Sequence, residues 1–240
     1  MRSLLVTLCT YNERENIERL VPEILGIVPH AHVLVIDDNS PDGTSEAARE
    51  MSGRDPRVHL LHRPKKEGLG AATAAGMQWG IERGYDLLLN MDADFSHPPR
   101  YIPELLKAME GGAEGSPAAD VAIASRYVPG GAVVGWGLKR HFMSRTINFY
   151  ARWILGLSTR DNSGSYRCYR VSKLVEMQSG QLRARGYAIQ EELLYRCRKA
   201  GCRFVEVPFT FEERRFGESK ISLKEAVTAP LVLLRIRLAG

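Results

Sequence analysis

The feature that most limits how this chain can fold is a regular alternation of two patterns through its first 127 residues. Short, mostly apolar runs rich in Val, Ile and Leu occur at residues 4–8, 33–36, 58–61, 87–89 and 121–124. Between them lie segments with helical patterning at residues 15–28, 44–52, 69–83 and 100–110. A strand that is apolar on both sides must be covered on both faces. The alternation therefore predicts an α/β fold: a Rossmann-like, mostly parallel sheet with helices on both faces. In such sheets ligands bind beyond the carboxyl ends of the strands. Asp37 and Asp38 close the second run, and Asp92 and Asp94 follow the fourth. Both acidic pairs are expected on one rim.

In LLLNMDADFSHPP, residues 87–99, two carboxylates stand one residue apart. On a regular strand they would point to opposite sides. At a strand end the backbone can turn and bring them together, where they repel unless a cation joins them. Oxygen donors of this kind suit Mg²⁺ or Mn²⁺ bridged to a diphosphate. The same residues also serve as helix caps or solvated loop residues ahead of Pro98, and a bare D-x-D does not decide between the two. In VLVIDDNSPDGT, Asp37 ends a strand and a turn follows. A carboxylate there can accept from ribose hydroxyls or a base edge, while Asp42 and Gly43 read as turn residues.

The 240 residues suit one domain, 1–225, with a short C-terminal segment, 226–240, expected near a membrane. A net charge of +5 points to a partner carrying phosphates, whether nucleotide, nucleic acid or anionic membrane. Four scattered cysteines, Cys9, Cys168, Cys197 and Cys202, have no zinc spacing and imply a reducing compartment; Cys168 and Cys197 read as buried small hydrophobes. The histidines show no ligand spacing and are read mostly as surface or turn residues. The N-terminal apolar run is too short for a signal peptide, and no stretch approaches the roughly 18–20 apolar residues of a spanning helix. GLGAAT is not a dinucleotide fingerprint, because Thr73 stands where Gly or Ala is needed; Gly68 and Gly70 instead permit a close turn into a helix.

Residues 128–137, VPGGAVVGWG, are glycine-rich. In the helical pattern that follows, Phe142, Phe149 and Trp153 form one stripe, and Arg145 and Arg152 share another face. The stripe reads either as an ordinary packed face or as an interfacial helix with its arginines on lipid phosphates. A helix is expected at residues 188–199 and a strand at 203–211. Gln190, Glu191 and Glu192 lie on that helix, and a Glu there is a candidate acceptor-side residue.

LCTYNERENI, VIDDNSPDGT, EGLGAATAAGM, MDADFSHPP, ASRYVPGG, GSYRCYR, GYAIQEE and FEERRFGESK occur in this order. Together they resemble the polyprenol-phosphate (dolichol-phosphate) mannose synthases among the family 2 glycosyltransferases of GT-A fold, over about residues 4–225. The resemblance implies an inverting enzyme that moves mannose from GDP-mannose to a polyprenyl or dolichyl monophosphate, with Mg²⁺ or Mn²⁺. It implies peripheral attachment at the cytoplasmic face of a membrane, with or without a separate anchor subunit, and no nucleic acid. It places Cys9, Tyr11, Glu13, Val35 and Asp37 around the nucleotide. Asp92 and Asp94 form the metal-binding D-x-D, with Ala93 touching the nucleotide by its backbone. Arg126, Arg214 and Lys220 take the basic positions near the phosphates, and Arg126 and Arg140 those near the acceptor phosphate, with Asp94 and Arg126 as the catalytic pair. Two departures are Cys9, where many relatives have Pro, and Asn39, where many have Gly. A related transferase carrying a UDP-sugar, glucose or an aminosugar, to the same kind of acceptor is the alternative.

Overall fold

The computed structural model describes residues 2–111, 117–177, 182, 186–212 and 223–239. Its strands are β1 (Leu4–Thr10), β2 (Ala31–Asp37), β3 (Val58–His62), β4 (Leu87–Asp92), β5 (Val121–Ser125), β6 (Ala132–Val133), β7 (Arg167–Arg170), β8 (Phe204–Pro208) and β9 (Thr210–Phe211). Seven form the central sheet in the order β3-β2-β1-β4-β7-β5-β8, and β6 pairs with β9 in a small second sheet. Six strands of the main sheet run one way, and β7 runs against both its neighbours. The expected mostly parallel sheet is therefore present, with one antiparallel insertion.

Alternation of side chains along each strand splits the core in two. Leu4, Val6 and Leu8, with Val33, Val35, Leu87, Leu89 and Met91, face helices α1 (Arg14–Ile27), α2 (Thr44–Arg54) and α4 (Ile102–Glu110). Leu5, Leu34, Ile36, Leu88, Val121 and Ile123 face α3 (Leu69–Glu82), α5 (Leu138–Leu155), α6 (Val171–Glu176), α7 (Ile189–Lys199) and α8 (Leu223–Ala239). Each such side chain removed from water contributes roughly 1.5–3 kcal/mol, so moving a strand by one register would expose a whole row. Helix α3 lies close against the sheet because Gly80 offers no Cβ; one added there would sit 3.0 Å from both Leu5 and Leu88.

Three boundaries differ from the sequence expectation, each for a local reason. The helix expected from residue 100 begins with a 3-10 turn at Pro99–Tyr101 and becomes α-helical at Ile102. The single strand expected over 203–211 is cut after Pro208 into β8 and β9, which join different sheets. Strand β7 was not anticipated: its sequence, Arg-Cys-Tyr-Arg, is only four residues long and begins and ends with arginine. Cys168 and Cys197 are buried, as expected.

The turn after β5 depends on Gly131. A Cβ at that position would lie 2.4 Å from the Ser125 carbonyl oxygen and 2.9 Å from the Arg126 carbonyl carbon. Those are backbone atoms held in the sheet, so they cannot give way as a side-chain tip would. Gly131→Ala is expected to cost on the order of 1–3 kcal/mol, read as a lower urea midpoint at unchanged slope. An unaltered midpoint would show that this contact does not hold the turn.

Candidate active site

Sequence order reverses between β1 and β4: β2 and β3 lie on one side of β1, while β4 and the later strands lie on the other. A crevice opens where the connections diverge, outside the carboxyl ends. In that register Cys9 stands beside both Ile36 and Asp92. The Cys9 thiol is half-buried near Thr73 Oγ1 at 3.8 Å, and burial pushes its pKa up to about 12, so it remains a thiol.

The acidic tip is built by a break in the strand. β4 ends at Asp92, and Phe95 takes φ +64°, a left-handed conformation that an aromatic residue adopts at a cost of roughly 1–2 kcal/mol. Two features hold it there: the ring is buried in the core, and Asp94 Oδ1 accepts from both Ser96 N–H (3.0 Å) and Ser96 Oγ–H (2.5 Å). Asp92 Oδ1 accepts from Ser165 Oγ–H at 2.6 Å, and its side chain is 39% exposed. Asp92 N–H donates to His97 Nδ1 at 2.9 Å, so the imidazole proton sits on Nε2, which lies 3.8 Å from Asp92 Oδ2. Burial lowers the His97 pKa and keeps the ring neutral, against the opposing pull of Asp92 and Asp94. His97 is thus a buried bracket for the tip, stacked 4.9 Å from Tyr166, and not the surface or turn residue its spacing suggested.

Among the described residues no group of three or more His, Cys, Asp or Glu is arranged to hold a metal ion. Asp92 and Asp94 offer oxygen alone, and the nearest imidazole has its Nδ1 committed to backbone. Such a partial, all-oxygen donor set fits Mg²⁺ or Mn²⁺ completed by phosphate and water, and does not fit zinc.

The second acidic pair is organised differently. Asp37 is fully buried and accepts from four donors: Thr10 Oγ–H (3.0 Å), Ser40 N–H (3.0 Å), Ser40 Oγ–H (2.5 Å) and Ser45 Oγ–H (2.6 Å). A carboxylate has about four acceptor sites, so a ribose hydroxyl would have to displace a serine or threonine here. Asp38 pairs with Arg63 at 2.5 Å and accepts from Gly68 N–H. Asp42 takes Thr44 N–H and Arg14 N–H, and Gly43 has φ +87°, the turn roles expected of them. Asn39 sits at φ +58°, so it does adopt the conformation for which Gly would otherwise be used. Of the other nucleotide-side residues, Tyr11 lies under Lys66 Nζ at 3.4 Å from its ring centroid. Glu13 accepts from Asn16 Nδ2–H at 2.6 Å. The Val35 side chain belongs to the core, and Ala93 is buried.

Across the rim, Arg126 follows β5. Its side chain is 7% exposed and paired with Asp161, which is 0% exposed. Nε and Nη2 donate to the two Asp161 oxygens at 2.7 Å each, and Arg126 N–H donates to Oδ2 at 3.0 Å. Burial favours the neutral forms of both groups, but their mutual charge outweighs it, raising the Arg126 pKa and lowering that of Asp161. Arg126 is therefore a clamped guanidinium, not an open one. Its carbon lies 5.4 Å from the Trp136 ring centroid, and that of Arg140 lies 4.1 Å from the same ring. Trp136 Nε1–H is buried and meets no acceptor among the described residues. Arg214 and Lys220 lie outside the described residues.

Sequence reasoning passed over Asp161, Ser165, Trp136 and Arg167, which lie in segments without periodicity; only proximity in the fold reveals them. Arg167 is fully buried and donates to the Gln190 and Asn162 carbonyl oxygens at 2.7 and 2.6 Å. Gln190, Glu191 and Glu192 are all buried at the start of α7. Arg167 Nε, Gln190 Nε2 and Glu191 Oε2 are left without partners in that layer.

The fold is that of the GT-A glycosyltransferases. Glucosyl-3-phosphoglycerate synthase of Mycobacterium tuberculosis, solved with Mn²⁺, UDP and glucosyl-3-phosphoglycerate, superposes with a TM-score of 0.68 at 19% identity, covering 99% of this chain and 79% of that one. The same synthase with Mn²⁺, UDP and phosphoglyceric acid gives 0.69 over 98% and 78%. The chain belongs to glycosyl transferase family 2, whose profile matches residues 5–177, and it is an enzyme of that family. It is 46% identical over 219 residues to a polyprenol monophosphomannose synthase of Mycolicibacterium smegmatis, covering 91% of this chain and 80% of the relative. It is 43% identical to an undecaprenyl-phosphate mannosyltransferase of Micrococcus luteus, covering 91% and 87%.

Burial pushes the Glu191 carboxyl from 4.5 up to about 7. A folded-state pKa above the unfolded one means that stability is complete below the unfolded value and is lost as pH rises through the folded one. Glu191→Gln removes that loss, on the order of 3 kcal/mol above pH 7. Melting curves of the two proteins should diverge between about pH 5 and about pH 8, with the variant the more stable at the upper end. Parallel curves would mean that Glu191 does not titrate in this range.

Proposed function

We propose that the chain transfers mannose from GDP-mannose to the phosphate of a polyprenyl monophosphate, with inversion at the anomeric carbon. The names of its 46% and 43% identical relatives support the sugar and the acceptor class. The observation that carries the reading is the composition of the rim. Two carboxylates supply an all-oxygen donor set at one end, and at the other two guanidinium groups face the Trp136 ring, whose own buried N–H has no acceptor among the described residues. A buried donor without an acceptor costs roughly 1–3 kcal/mol, and an anion placed there recovers it.

In this reading Cys9, Tyr11, Glu13 and the Asp37 turn form the wall that holds the nucleotide, with Val35 packed in the core beneath it, and Arg214 and Lys220 serve its phosphates. Asp92, Ala93 and Asp94 orient the diphosphate. Asp92 and Asp94 would hold a divalent cation, which would supply charge neutralisation for the departing diphosphate. The acceptor is a phosphate monoester whose second pKa is about 6, so it is largely dianionic at neutral pH and needs no general base. Its oxygen forms a bond to the sugar C1 as the C1–O bond to the diphosphate breaks, and the diphosphate leaves with the electron pair. The obstacle is electrostatic, since two anions must approach. Arg126, held charged by Asp161, and Arg140 offset that repulsion.

The acceptor's hydrocarbon implies work at a membrane. The stripe of Phe142, Phe149 and Trp153 on α5 points to solvent, at 73%, 65% and 74% exposure, and is not packed against the core. We place α5 in the membrane interface on the cytoplasmic side. Among the described residues no helix is long and apolar enough to cross a membrane.

Purified chain supplied with GDP-mannose, polyprenyl phosphate and Mn²⁺ should release GDP and form lipid-linked mannose, with UDP-glucose inert. Turnover with UDP-glucose alone would replace the donor, and no turnover with either would remove the reading. Asp94→Asn should lower kcat by at least about a hundredfold with the melting temperature retained. Full activity of that variant after chelation would exclude the acidic tip from metal binding. Trp136→Phe, which removes the N–H together with part of the ring that Arg126 and Arg140 face, should raise KM for the acceptor several-fold and leave GDP affinity unchanged. The reverse split would move Trp136 to the donor side.

A further inference from the structure

A second basic feature shares Arg126 with the rim. A cavity of about 610 Å³ is lined by the 127–131 turn, Arg126, Arg145, Asn148, Phe149, Arg152 and Arg160. Arg145 and Arg152 are seven residues apart on α5, so they stand two turns apart on one face. Arg160 reaches the cavity from the segment between α5 and β7. None of these three side chains makes an ion pair or hydrogen bond to a described residue, and the lining contains no carboxylate. The carboxylate beside Arg160, Glu206, accepts from the backbone N–H groups of Arg160 (2.8 Å) and Asp161 (3.0 Å). Asn148, 4% exposed, is held by Ser144 and Ser163, which fixes the wall between the arginines. Three guanidinium groups facing one space repel each other unless an anion joins them. Arginine suits phosphate oxygens in particular.

The setting selects the kind of phosphate. Phe149 is part of the lining and is itself 65% exposed, and Phe142, Trp153 and Leu138 continue the apolar surface along α5 at 73%, 74% and 89% exposure. On α8, which packs beside α5 through an Arg237 bond to the Ile154 carbonyl, Leu231 and Leu238 are exposed by 63% and 78%. Helix α5 carries Lys139, Arg140, Arg145 and Arg152 and no acid. A ligand here meets cations at one end and hydrocarbon at the other.

We propose that Arg145, Arg152 and Arg160 form a binding site for the phosphodiester headgroup of an anionic bilayer phospholipid, distinct in its residues from the Arg126 and Arg140 pair read as facing the acceptor phosphate. The site fixes how the enzyme sits on the membrane, because one clamped headgroup beside α5 sets the rotation of that helix about its own axis. It rests on the reading of α5 as the membrane-facing helix and is independent of the transfer chemistry.

The test compares the full chain with the triple variant R145Q/R152Q/R160Q and with a charge-matched control, R49Q/R54Q/K107Q, altered on helices of the opposite face. Co-sedimentation uses vesicles of phosphatidylcholine alone, with phosphatidylglycerol, or with polyprenyl phosphate. Affinity of the triple variant for the phosphatidylglycerol vesicles should fall on the order of tenfold to a hundredfold, with the control within about twofold of the native chain. Equal losses in both variants would reduce the effect to net charge and overturn the site. Loss confined to polyprenyl phosphate vesicles would reassign the cavity to the acceptor. Titration with short-chain phosphatidylglycerol below its micellar concentration should show saturable one-to-one binding that the triple variant lacks. Absence of such binding by the native chain would leave only diffuse attraction and overturn the proposal. Because these side chains have no ion-pair or hydrogen-bond partners among the described residues, the variant should melt like the native chain. A native chain that binds these vesicles but fails to transfer mannose would sink the proposed reaction while leaving this site intact.

Discussion

The rim is held in shape by one buried ion pair, Arg126 with Asp161. Taking both charges out of water costs several kcal/mol per ion, and only good geometry offsets it. The geometry here is two parallel bonds of 2.7 Å and a third from the Arg126 backbone N–H. The pair also ties α5 and the 159–165 segment to the paired strands β5 and β8. Asp161 N–H is held by Glu206 of β8, and Asn148 of α5 accepts from the N–H of Asn162. Arg126 Nη2 reaches Ser163, whose hydroxyl Asn148 also contacts. The end of β5, the 159–165 segment, α5 and β8 are thus referenced to one carboxylate. Removing either partner leaves the other charged and buried, which makes the pair a fixed point and not an adjustable ligand.

That fixed point explains why the two ends of the rim differ in character. At the β2 end, Asp37 and Asp38 are saturated by Thr10, Ser40, Ser45, Arg63 and Gly68, so their charge is absorbed in building the turn. At the β4 end, Asp92 retains partial exposure, and its bracket, His97, is neutral. Identical residue types in similar positions therefore do opposite work. What separates them is the supply of local donors: three hydroxyl side chains converge on Asp37, while Ser165 alone supplies a hydroxyl to Asp92.

This division also marks what the sequence could reveal. The strand–helix alternation and the gathering of both acidic pairs on one rim follow from periodicity and the carboxyl-end rule, and the structure agrees on both. Strand β7 escaped because four residues are too few for a period of two to show. Asp161 escaped because RDNSGS reads as an ordinary turn, and its partner is 35 residues away. His97 was misjudged because spacing reports metal ligation and says nothing of stacking on Tyr166 or a bond from Asp92 N–H. The α5 stripe was read in two ways because amphipathic spacing is the same whether the apolar face meets protein or lipid; only its exposure in the folded chain separates them.

The distribution of charge along the rim then orders the chemistry. Carboxylates sit at β2 and β4, and guanidinium groups at β5 and α5, so a negatively charged donor and a negatively charged acceptor cannot be held by the same means. In the proposed reaction the donor would need a cation brought to the carboxylates, whereas the acceptor would meet cations already built into the chain. Ionic strength should act unequally on the two. Arg126 is buried and clamped, so salt screens it little, whereas the exposed arginines of α5 lie where a Debye length of about 8 Å at physiological salt matters. On the proposed reading, salt would govern how long the enzyme stays on a charged surface more than how it holds the reacting groups once there.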